Sequence, residues 1–179
     1  MASRRKGRIL AFQALYSWDA AFNTSAGKGA EKGRVKKSPA PENPPPVSDI
    51  PGELLDFAWL EQDKRASLDE SISNFSRLLI AGTIENIAVI DAMIRSHLQN
   101  WDFSRLNRVD LAILRMSTYT LMFQTDVAPS IVINEAIGIS KEFGTDDSYR
   151  FINGVLDNIR RTLQEPQTAP AKERLCPRA

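Results

Sequence analysis

One cysteine and one histidine occur in 179 residues, and neither has company. Cys176 lies in a Pro- and Arg-containing C-terminal stretch with no second thiol to pair with. An internal disulfide is excluded, zinc-ligand spacing is absent, and a reducing cytoplasmic compartment is the expectation. The lone His97 removes the commonest general base and offers no partner for a metal ion. The chain also has no P-loop, dinucleotide fingerprint or serine–histidine pair. Its adjacent acids Asp146 and Asp147 diverge by about 100° on a helix, which suits capping better than convergence on one substrate. No enzyme activity, cofactor or metal is therefore expected, and a binding protein is the default. A run of eighteen apolar residues is missing too, so no spanning helix and no membrane partner are expected. The opening MASRRKGRIL has no apolar h-region, so secretion is not expected either.

Strand alternation and internal repeats are absent, and what remains is helical periodicity. A hydrophobic content of 42% suffices for one core. The expectation is an all-α fold: a compact bundle of roughly six to seven helices in a single domain over residues 1–163. Ser3 to Phe22 places Ala11, Phe12, Leu15, Trp18 and Phe22 on one face. Asn23 to Ile50, which holds five of the ten prolines between Pro39 and Pro46, reads as a flexible insertion. Leu54, Leu55, Ala58 and Trp59 suggest a short helix, and two segments rich in Ile and Leu then meet near Gly82. Arg105 to Gln124 is apolar on most faces and should be central. Pro129 suits the first turn of the next helix, which runs to Phe143. Gly144 suits an αL stop, and Thr145 or Asp146 a cap for a last helix ending at Leu163. There Tyr149, Ile152, Val155, Leu156, Ile159 and Leu163 form the apolar stripe, with Phe151 just beside it and Gly154 opposite. Residues 164–179 read as a disordered tail.

Charge is distributed unevenly. Residues 1–40 carry nine Lys or Arg against two acids, and the rest of the chain carries fourteen against twenty. A basic segment on an acidic body is a common arrangement for contact with nucleic acid, although a solubilising tail has the same signature. Arg4, Arg5, Lys6 and Arg8 crowd the first turns of a helix, where positive charge opposes the macrodipole at roughly 0.3–1 kcal/mol each. A local rule broken in this way points to function, with Gln13 and Tyr16 extending the polar surface; a frayed, solvated end is the alternative. An aromatic off the core stripe, Phe151, matches what unpaired RNA bases require for stacking, and cations match the phosphates.

Three segments carry a resemblance: RKGRILAFQALYSWD, LNRVDLAILRMSTY and APSIVINEAIGISKEFGTDDSYRFINGVLDNI. Together they resemble the NusB family of transcription antitermination factors, most specifically from Ile133 to Asp157. The resemblance implies an all-helical, non-catalytic protein that pairs with the ribosomal protein NusE and binds boxA-type RNA. It implies action within the RNA polymerase antitermination complex, with read-through of ribosomal RNA operons. Carried over by position, Arg4, Arg5, Lys6, Arg8 and Gln13 match the RNA-facing helix, and Arg150 and Phe151 match the RNA surface. Asp147 matches an acidic position that weakens phosphate binding. Asp110 and Tyr16 match the NusE side. Family members occur as monomers and as homodimers. The long Asn23 to Ile50 insertion and the stretch after Leu163 depart from the family pattern, as does Thr120, where a glutamate is common. A helical interaction module without specific RNA binding is one alternative. A domain related to RNA cytosine methyltransferases is another, but it would need an appended cofactor-binding domain.

Overall fold

The computed structural model describes residues 2–25, 50–98 and 101–165, with side chains of the first segment from Ser3 to Ala21. The tract from 26 to 49 and the stretch from 166 onward, which contain most of the expected insertion and tail, lie outside the described residues. Among the described residues there are eight α-helices and no strand. They are α1 (Ala2–Ser25), α2 (Gly52–Leu55), α3 (Gln62–Ala66), α4 (Glu70–Glu85), α5 (Ile87–Ser96), α6 (Arg108–Phe123), α7 (Pro129–Phe143) and α8 (Ser148–Gln164), with a 3-10 turn at Phe103–Arg105 before α6. The two short helices, α2 and α3, account for the excess over six or seven.

α6 is the axle of the bundle. Every residue from Asp110 to Thr120 is buried, and α1, α4, α5, α7 and α8 all pack against it. Asn107 starts it by accepting the Val109 N–H at 2.7 Å, which satisfies one of the helix's orphan donors. Around it Ile84, Ile87, Ile90 and Ile94 from α4 and α5 are fully buried. Each contributes about 1.5–3 kcal/mol relative to exposure.

The boundaries correct several expectations. α4 runs through Gly82 to Glu85, and the chain breaks at Asn86, whose Nδ2 donates to the Gly82 carbonyl at 2.8 Å. Gly82 is a packing residue: any side chain there would overlap the Tyr119 ring of α6. The helix near Pro51 stops at Leu55 because Phe57 takes φ 54°, turning its ring into the core. Gly144 is not αL; its φ of −91° and ψ of −170° are extended. Glycine is needed there because a Cβ would meet the Ser140 carbonyl at 2.6 Å and Ser148 Cβ at 2.7 Å. α8 accordingly starts later than expected, at Ser148, whose Oγ accepts the Thr145 N–H at 2.9 Å. Asp147 takes the N-cap position without a side-chain cap hydrogen bond, and Asp146 precedes it. Leu163 is substantially exposed, so the core stripe ends at Ile159. At the other edge α1 continues to Ser25, and Ile50 is buried in the core.

Candidate nucleic-acid interface

The four cations that open α1 have four different surroundings. Arg4 is exposed, with its guanidinium 4.4 Å from the Phe75 ring centroid on α4. Such cation–π contacts hold the flat group in place while leaving its N–H edges to solvent. Lys6 is exposed. Arg5 reaches across to α7, donating to Glu142 Oε2 at 3.1 Å and lying 3.9 Å from Glu135. Gly138 makes the slot for it, since a Cβ there would stand 2.5 Å from Arg5 Nη1. Arg8 is buried beside the same Phe75 ring, and burial lowers its pKa, opposed by the charge of Glu135. The α7 carboxylates thus offset the charge that the macrodipole of α1 opposes. Close crossing of α1 and α4 depends on Gly7, whose carbonyl accepts from Ser76 Oγ at 3.0 Å.

From α7 the cationic surface passes to α8. Lys141, next in sequence to Glu142, sits 5.0 Å over the Tyr149 ring. Arg150 Nε donates to the Tyr149 hydroxyl at 2.9 Å. Arg150 also lies 3.5 Å from Asp147, an exposed carboxylate that neutralises part of its charge. Phe151 is half-buried, with its ring 5.6 Å from that of Trp101, which is 58% exposed. A shallow open depression lined by Lys141, Gly144, Thr145, Asp146 and Tyr149 lies along this route. Three contact groups, Arg5 with Glu142, Lys141 with Tyr149 and Arg150, and Phe151 with Trp101, are linked to one another through neighbouring positions on α7 and α8. Gln13 is half-buried on α1, where Phe12 meets Phe143 of α7 at 5.2 Å. Gly154 is exposed and a Cβ there meets nothing within 4 Å, so no described helix crosses at that point.

The residues assigned to a protein partner do not touch each other. Tyr16 is 39% exposed and its ring contact is with Phe12 on its own helix. Asp110 is buried at the start of α6 next to Ser148 of α8, and its Oδ1 has no hydrogen-bond partner among the described residues. Burial raises its pKa, partly opposed by the nearby Ser148 hydroxyl. No hydrogen bond, ion pair or ring contact joins Tyr16 to Asp110. Thr120 is buried, its hydroxyl donating to the Met116 carbonyl at 3.0 Å, so it forms no part of a partner surface.

One charged cluster escaped the sequence reading. Arg115, in the middle of α6, donates to both carboxylate oxygens of Asp91 on α5 at 2.8 Å. It also donates to Asp19 on α1 at 2.9 Å. Burial lowers the Arg115 pKa, but the hydrogen bonds and charges of Asp91 and Asp19 outweigh it and the net shift is upward. The signal was present as an arginine inside an otherwise apolar helix and an aspartate in the Ile-rich α5. Among the described residues no group of acids, histidines or cysteines is placed to hold a metal ion, and no helix is long and apolar enough to cross a membrane.

Comparison with known proteins agrees with this architecture. The model of the NusB family matches residues 5–161. The transcription antitermination protein NusB of Treponema pallidum is 45% identical over 159 residues, covering 89% of this chain and 93% of that protein. Its counterpart in Geobacter sulfurreducens is 38% identical over 165 residues, covering 92% and 99%. Among solved structures, T. maritima NusB superposes with a TM-score of 0.64 at 30% identity, covering 88% of this chain and 90% of that one. A complex of the antitermination factors NusB and NusE with double-stranded RNA has the same fold, with a TM-score of 0.65 at 23% identity and coverage of 90% and 98%. With its family match spanning nearly the whole described chain and its helices stacked as in these relatives, the protein belongs to the NusB family of transcription antitermination factors.

Proposed function

We propose that the protein binds boxA-type unpaired RNA jointly with the ribosomal protein NusE, acting in the cytoplasm within the RNA polymerase antitermination complex to promote read-through of ribosomal RNA operons. The observation that carries this reading is the cationic and aromatic route from α1 over α7 to α8, on a chain of this family. Arg4 and Lys6 meet phosphates directly. Arg5 reaches one by exchanging Glu142 for it, and Arg8 supports the surface from beneath. Gln13, Arg150 and Phe151 continue the contact, and Asp147 weakens it by placing a carboxylate beside Arg150. Tyr16 and Asp110 serve the protein partner.

Unpaired RNA is favoured over duplex because ring faces add roughly 1–3 kcal/mol per stacked base, which a duplex cannot use. Titration of a boxA-type oligonucleotide, its scrambled version and its duplex, each with and without NusE, tests the reading. Tightest binding is expected for the unpaired cognate RNA with NusE present. Equal affinity for scrambled RNA in both conditions would refute it, and preference for the duplex would reduce the surface to phosphate contacts. Sedimentation with and without RNA reports whether a homodimer closes over the same face.

A further inference from the structure

We infer that Trp101 is a second base-stacking residue, which with Phe151 forms a platform for two adjacent unpaired bases. The inference rests on the RNA reading above and assigns a residue which that reading does not include. Trp101 stands in the connection between α5 and α6, ahead of the 3-10 turn at Phe103–Arg105. Its ring is 58% exposed, while Trp18 is buried in the core. Leaving so large an apolar surface in water forgoes burial that the fold would otherwise gain. Sequence distance is no obstacle: α8 packs against α5 and α6, which brings Phe151 to within 5.6 Å of Trp101, ring centroid to ring centroid.

The rings are tilted by 54°, so they are not stacked face to face. The tilt suits bases that splay apart at a turn in the strand better than it suits a continuous stack. The surroundings suit a polyanion. Arg105 in the same connection and Arg108 at the start of α6 are exposed, and Arg150 precedes Phe151. Arg95, a further exposed cation, is held 4.1 Å over the ring of Phe103, which lies two residues beyond Trp101 in the chain. Buried Arg115 lies 6.0 Å from that ring on its inner side, so the segment carrying Trp101 is anchored. An aromatic pair with Arg105, Arg108 and Arg150 close by in the chain, and Asp102 as the acid next to Trp101, is a more polar setting than an apolar protein partner favours and one that a nucleobase with its phosphate can use.

The test uses the full chain and an unpaired boxA-type oligonucleotide, followed by Trp fluorescence and by equilibrium affinity. Trp101→Ala should weaken binding at least about fivefold, the lower end expected for one lost stacked base. Trp101→Phe should restore most of the affinity. The fluorescence quench on RNA addition should disappear in Trp101→Phe and persist in Trp59→Phe. Denaturation midpoints keep folding separate: the Ala and Phe variants must differ in RNA affinity at a temperature where both are folded. If Phe151→Ala weakens binding but Trp101→Ala does not, the platform is overturned and the RNA reading stands. If no variant and no wild-type protein distinguishes cognate from scrambled RNA, both fall together. If the quench appears with NusE alone and not with RNA, Trp101 belongs to the protein interface and the inference is wrong.

Discussion

Replacing Arg115 by Met tests the buried charge cluster most directly, because methionine fills similar volume without a charge. The substitution removes three hydrogen bonds, two to Asp91 and one to Asp19. Asp91 is left with a side chain that is 0% exposed and has lost both of its guanidinium donors. Breaking a buried pair from one side typically costs 3–5 kcal/mol, chiefly the penalty of the stranded charge. For a chain of this size about 1 kcal/mol moves Tm by roughly 2–4 °C, so a drop of about 6–20 °C is expected. The partners should rank by burial. Asp91→Asn loses the bidentate pair and costs more than Asp19→Asn, whose side chain is 11% exposed and receives one of the three bonds. Urea unfolding followed by helical circular dichroism gives the free energies, with the slope checked for two-state behaviour. An Arg115→Met protein within about 1 kcal/mol of wild type would refute the assignment of this cluster as a stabilising tie among α1, α5 and α6.

Gly154 is expected to be replaceable without strain: Gly154→Ala should stabilise by up to about 1 kcal/mol in the same unfolding experiment, because the new methyl meets nothing and alanine favours helix. Loss of RNA affinity in that variant would show that the glycine admits the ligand backbone. Asp110 has a raised pKa from burial, so the native state holds its proton more tightly than the unfolded state. The cost of keeping it ionised is present above the folded pKa and disappears as pH falls toward the ordinary aspartate value. Wild-type stability, measured relative to Asp110→Asn at each pH, should therefore rise on acidification through that window; a flat difference would contradict the burial argument. Asp147→Asn should tighten RNA binding, read by titration at fixed salt, with a change in stability within about 0.5 kcal/mol because the residue is a surface group.

The bundle was legible in the sequence because its signals are local and periodic. Pro129 marks the first turn of α7, and Ile152, Val155, Leu156 and Ile159 mark the buried face of α8. Two boundaries differ for one reason: packing, not backbone freedom, requires the glycine. Gly82 makes room for a tyrosine from another helix, and Gly144 for a serine and a carbonyl, neither visible from chain neighbours. The candidate interface was half legible. Phe151 stood out from its stripe, but Trp101 became a candidate only once α8 was seen packed against the α5–α6 connection. The pairing of Arg5 with Glu142 spans 137 positions and has no sequence signature at all.

That last point changes how the basic N-terminal segment should be counted. Four cations in five residues suggest four phosphates, yet Arg8 is buried and Arg5 already holds a carboxylate. Arg4 and Lys6 are the exposed pair. Each phosphate neutralised on single-stranded RNA contributes about −0.7 to the slope of log affinity against log salt. Arg4→Ser combined with Lys6→Ser should make that slope shallower by about 1.4 and leave stability nearly unchanged. Arg8→Ser should do the reverse. It strips the partly buried Glu135 carboxylate of a nearby positive charge and removes a buried side chain from beside Phe75, so thermal stability falls while the slope moves little. The measurement is affinity at four or more salt concentrations beside a melting curve for each variant. If Arg8→Ser shifts the slope as much as the exposed pair does, the arginine leaves its pocket on binding and the first turns of α1 rearrange around the RNA. If the exposed pair leaves the slope untouched, the phosphates lie elsewhere, and α1 contributes shape to this face without supplying its charge.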